Sequence, residues 1–152
     1  MKLTLLLFFT LVTYVATMGV EYEGMVESIA NFLELTKDEV RPCFNMTGIT
    51  QEDVMEFAQV KVDDLQTTNA NIIASKMGCL MACLGEKKEI MTDARINVDK
   101  TKEIIHSMVE KQNIRLSKLP EFDQKVDSCA NLVETVTYKC EVALTFVYCL
   151  CT

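Results

Sequence analysis

Met77-Gly78-Cys79-Leu80-Met81-Ala82-Cys83-Leu84 is the stretch on which the fold turns. With Ile73 ahead of it, the residues Met77, Leu80, Met81 and Leu84 recur at the three- and four-residue steps of one helical face. Cys79 and Cys83, four apart, lie together beside that face. Working outward, Cys43 precedes the pair, and Cys129, Cys140 and Cys149 follow it. The nine-residue step from Cys140 to Cys149 is half a turn past two turns, at about 100° per residue, so these thiols point to opposite sides of one helix. Such a helix can be bolted to two different neighbours. Spacing alone does not choose among the possible pairings.

Staples of this kind need an oxidising compartment, and the N-terminus offers a route to one. Lys2 is followed by an apolar run from Leu3 to Val15, too short to cross a bilayer stably. Thr17-Met18-Gly19 then supplies the small residues that a signal peptidase reads. Residues 1–19 are therefore expected to be a signal peptide, and residues 20–152 a single secreted, extracellular domain with a core of its own. The whole chain carries a net charge of −7, and the leader removes one lysine and no acid. So acidic a surface repels phosphate backbones and anionic membranes, which excludes nucleic acid as a partner class.

No segment shows period-two alternation, and helical stripes recur instead, so an all-α fold of about six helices is expected. Met25, Ile29, Phe32 and Leu33 form a first stripe, interrupted before Pro42. Thr47-Gly48-Ile49 reads as a turn, and Thr50-x-x-Asp53 resembles a capping box opening a short helix through Phe57. Residues 61–71 are polar and read as a loop. Asp99 begins a helix in which Ile105, Met108 and Val109 share a face. Pro120 suits the first turn of the next, which carries Phe122, Val126, Cys129 and Val133. Val142 to Leu150 is apolar all round apart from Thr145, as befits a central, buried helix.

The spacing Cys-x35-Cys-x3-Cys-x45-Cys-x10-Cys-x8-Cys resembles the six-cysteine pattern of the insect odorant-binding proteins, a family that includes the pheromone-binding proteins. The x3 and x8 gaps carry most of the likeness. The words around them agree, in Met77 to Leu84 and in Cys43-Phe44-x-x-Thr47-Gly48-Ile49-Thr50. The resemblance implies helices enclosing an apolar cavity, with bridges Cys43–Cys83, Cys79–Cys140 and Cys129–Cys149. Each bridge would contribute roughly 2–4 kcal/mol by restricting the unfolded chain. By analogy, Met81, Ile90, Met91, Ile105, Met108, Val126, Phe146 and Leu150 would line the cavity, with Met77 also facing inward and Thr145 or Tyr148 offering polar contacts. A small hydrophobic ligand is the implied partner, and a membrane chemoreceptor a further candidate. The rival reading is a secreted interaction, defence or venom protein that kept the scaffold and filled its centre. Only three residues follow Cys149, so no tail-driven ligand release is expected.

Enzyme readings fare poorly. His106 is the only histidine, next to Ile104 and Ile105 with no visible acid-base partner, and is read as a partly exposed helical residue. Cys149-Leu150-Cys151 lacks the histidine support of a zinc site, and neither metal nor cofactor is expected. Cys151 is left over as a free or intermolecular thiol, consistent with a monomer or a weak homodimer. Asn45-Met46-Thr47 is the only glycosylation sequon.

Overall fold

The computed structural model describes residues 22–59, 68–111 and 119–151. The leader expected at 1–19 lies outside them, as do residues 61–67 of the expected loop, while residues 68–71 begin a helix instead. Seven helices occur among the described residues: α1 (Tyr22–Leu33), α2 (Lys37–Thr47), α3 (Gln51–Gln59), α4 (Thr68–Lys87), α5 (Val98–Lys111), α6 (Leu119–Leu132) and α7 (Lys139–Cys151).

The first stripe is interrupted at residues 34–36, ahead of Pro42 as expected. Glu34 adopts a left-handed φ of 53°, and the amide of Leu35 donates back to the Ala30 carbonyl at 2.9 Å, closing α1 as a Schellman turn. Thr36 then opens α2 with a full capping box: the Glu39 amide donates to its hydroxyl, and its own amide donates to the Glu39 carboxylate at 2.7 Å. The Thr36 backbone bond holds the Glu39 carboxyl below its ordinary range. Pro42 sits inside α2 on an exposed face, where the carbonyl it leaves unbonded can turn to water. Gly48 ends α2 at φ 60°, donating its amide to the Phe44 carbonyl. Thr50 and Asp53 exchange hydrogen bonds of 2.9 and 3.1 Å at the start of α3, as their spacing predicts.

The architecture is all-α, as expected, with one short two-stranded hairpin between α4 and α5. β1 (Met91–Thr92) pairs antiparallel with β2 (Arg95–Ile96) around Asp93, whose φ is 52°. Strands of two residues are too short to show alternation. Just ahead of them α4 ends as α1 does: Glu89 takes φ 58° and the Ile90 amide donates to the Gly85 carbonyl at 2.8 Å.

The core has two centres. Met25, Val26, Val40, Phe44, Ile73, Met77 and Leu80 join α1, α2 and the first part of α4. Ala82, Met91, Val126, Cys129, Val133, Val142 and Phe146 join the end of α4, the hairpin, α6 and α7. Met81 packs against both. Bridges join α2 to α4 (Cys43–Cys83), α4 to α7 (Cys79–Cys140) and α6 to α7 (Cys129–Cys149).

The tightest approach is between α4 and α7, where the Cα atoms of Cys79 and Cys140 are 4.2 Å apart. A Cβ on Gly78 would overlap the Cys140 carbonyl oxygen and press on Leu144 Cβ at 3.1 Å. A Cβ on Gly85 would meet only the flexible side chain of Met91. Gly78→Ala is therefore expected to destabilise the fold by about 1–3 kcal/mol. Gly85→Ala, which gains helix propensity, should be neutral or stabilising. Urea unfolding of both variants beside the parent checks the contrast.

Candidate functional site

A cavity of about 210 Å³ lies where the two cores meet. Phe32 and Leu33 reach it from the end of α1, and Met81, Leu84 and Gly85 from α4. The turn that closes α4 delivers Ile90, and the hairpin adds Met91 and Ile96. Helix α5 supplies Thr101, Ile104, Ile105 and Met108, and α7 supplies Ala143, Phe146, Val147 and Leu150. Thr101 is the single polar side chain in this wall, and it is buried. Its hydroxyl donates to the Asn97 carbonyl at 2.7 Å, which leaves its oxygen lone pairs as acceptors only. Every other wall residue offers carbon or sulfur. Such a wall discriminates by shape rather than by hydrogen bonding, and its methionines can adapt to that shape.

Seven of the eight residues singled out by analogy line this cavity: Met81, Ile90, Met91, Ile105, Met108, Phe146 and Leu150. Val126 does not. It is fully buried in the core between α6 and α7, and α6 contributes no side chain to the wall. Met77 likewise packs into the first core rather than the cavity. Thr145 and Tyr148 lie on α7 outside the lining, and Thr101 stands where a polar contact was sought. Phe32 and Leu33 went unforeseen because the chain break that aims them inward depends on a left-handed glutamate, a conformation that no residue type announces.

The remaining singled-out residues lie elsewhere. His106 does have a carboxylate partner, contrary to expectation: its Nε2 is 2.8 Å from Asp123 Oδ1, linking α5 to α6 on the surface beside the pair Lys102–Asp127. Asn45 is exposed on α2, and its side-chain oxygen accepts a hydrogen bond from the Tyr22 hydroxyl at 3.0 Å. Cys151 is half-buried in the last turn of α7. Among the described residues, no group of three or more His, Cys, Asp or Glu could hold a metal ion. No described helix is long and apolar enough to cross a membrane.

A disulfide-braced helical shell around a carbon-walled cavity defines a carrier of small ligands. The model of the PBP/GOBP family matches residues 27–152, and the chain belongs to that family, one of binding carriers rather than enzymes. The chain is 25% identical to the pheromone-binding protein Gp-9 of Solenopsis daguerrei over 115 residues, which cover 74% of this chain and 70% of the relative. Its counterparts in Solenopsis electra and Solenopsis pusillignis are each 24% identical over the same shares. No solved structure matches the chain.

Burial pushes the Cys151 thiol above its ordinary pKa. A raised pKa leaves less thiolate at a given alkaline pH, and the thiolate is the nucleophile. Alkylation by iodoacetamide at about pH 8 should therefore be slower than for an unstructured cysteine of pKa about 8.5, and should still be rising above that value. Mass-detected labelling against pH checks this, and the same peptides report which thiol is partnered with Cys129.

Proposed function

We propose that this chain is a secreted carrier that takes small hydrophobic odorant or pheromone molecules into its internal cavity and moves them through aqueous extracellular fluid. Residues 1–19 act in this reading as a cleaved leader, and residues 20–152 as the working domain. A monomer or weak homodimer would deliver its cargo to a membrane chemoreceptor. The single observation that carries the proposal is the cavity between the two cores, whose wall has one hydroxyl and otherwise only apolar side chains. A scaffold retained only for surface interactions would have no reason to keep this space open, and the defence or venom reading anticipates a filled centre. The name of the Solenopsis relatives, pheromone-binding protein, points the same way.

Burial of about 200–300 Å² of apolar ligand surface, at roughly 25 cal/mol per Å², gives a gross gain of about 5–7 kcal/mol. Even before the cost of association is subtracted, such a gain corresponds to a Kd of about 10–200 μM, so binding no tighter than tens of micromolar is expected from burial alone. Competitive displacement of a fluorescent naphthylamine probe by a panel of alcohols, aldehydes, esters and acids measures it. Gly85→Leu, which pushes a side chain toward Met91 and into the cavity, should weaken binding about tenfold or more while circular dichroism stays unchanged. Failure of every panel member to displace the probe, or of the probe to bind, would overturn the proposal.

A further inference from the structure

A second cavity of about 320 Å³ shares Phe32, Leu33, Ile104 and Met108 with the apolar one. Its remaining wall is polar: Asn31, Glu34, Lys88, Lys100, Glu103, Ser107 and Lys111. The charges do not cancel. Lys111 is ion-paired with Glu34, and Lys100 reaches both oxygens of Glu103 at 3.1 Å. Lys88 is the third lysine, half-buried, and among the described residues its ammonium has neither an ion-pair partner nor a hydrogen bond. The Glu34 and Glu39 carboxyls feel its charge without contacting it. Its backbone sits one turn beyond Leu84, a wall residue of the apolar cavity, and donates to the Leu84 carbonyl. On a chain of net charge −7, this wall carries three lysines against two glutamates, and Lys88 is the lysine without a contact partner among the described residues.

Resting on the carrier reading above, we infer that the polar cavity is a head-group subsite and that the preferred ligands are amphipathic monocarboxylic acids, with the tail against Met91 and Phe146 and the carboxylate at Lys88. The argument is one of charge count and adjacency. A carboxylate brings one negative charge to one free ammonium, while Asn31 and Ser107 border the same space with neutral donors. A doubly charged phosphate head would leave a surplus negative charge against an acidic protein. A neutral alcohol would fill the cavity but leave Lys88 as it is. Hydrogen bonds to charged groups are the stronger kind, and partial burial of Lys88 reduces screening of this one.

The test measures probe displacement by decanoate, decanol and methyl decanoate at about pH 7.5, well above the ordinary carboxylate range. The proteins are the parent, Lys88→Gln and, as a control for simple loss of charge, Lys87→Gln; Lys87 lines neither cavity. Decanoate is expected to bind about tenfold tighter than decanol to the parent, an advantage that shrinks with added salt. Lys88→Gln should bring decanoate to the level of decanol and leave decanol unchanged, and Lys87→Gln should alter neither. Decanol binding as tightly as decanoate, or Lys88→Gln weakening both alike or neither, would overturn the head-group subsite and leave the carrier reading intact. Absence of binding by all three compounds would overturn both.

Discussion

The contact on which the rest of this molecule depends is the one between the backbones of α4 and α7 at Gly78 and Cys140. The missing side chain at position 78 lets the two helices approach until a carbonyl of one fills the space a Cβ would take in the other. The neighbouring cysteines then hold that approach covalently. Because α7 is apolar on almost every side, it has to be surrounded, and α4 is the long helix that surrounds it first. Once these two are fixed, Cys83 ties α2 to the outer side of α4, and Cys149 ties α6 to the outer side of α7. The cavity is what remains between the pair and the elements wrapped around it.

A hollow centre carries a stability cost, and magnitudes show why the bridges matter. An unfilled volume of about 210 Å³, at roughly 24 cal/mol per Å³, costs about 5 kcal/mol of lost packing. Bridges spanning 40, 61 and 20 residues each restrict the unfolded chain by about 3–4 kcal/mol. Two of them offset the void and the third adds a margin. Surface ion pairs such as Lys37–Glu27 and Arg41–Glu23, both well exposed, add little beside this. Covalent links thus supply stability that an unfilled interior forgoes.

Much of this was legible in the chain itself. The stripe from Ile73 to Leu84, the box at Thr50 and Asp53 and the all-round apolarity after Val142 rest on local periodicity, and each forms the expected helix. Thr36-x-x-Glu39 has the same signature, and it too opens a helix. The two chain reversals at Glu34 and Glu89 were not legible, because a glutamate in a left-handed turn is imposed by the packing on either side. Since those reversals aim Leu33 and Ile90 at the cavity, that part of the wall depends on non-local forces. Val126 shows the converse. Its helical register correctly marks an inward face, but inward for α6 means toward a packed core, and periodicity cannot tell a filled interior from an empty one.

The two cores meet along a seam bridged by Met81 and by the cavity itself. One edge of that seam is the riveted α4–α7 contact. Elsewhere along the seam Leu33 and Ile104 both line the cavity, and the solvent-exposed pair Glu34 and Lys111 joins the region just after α1 to the end of α5. Salt screens an exposed pair, so the link it makes between α1 and α5 weakens as ionic strength rises, whereas the riveted contact does not respond.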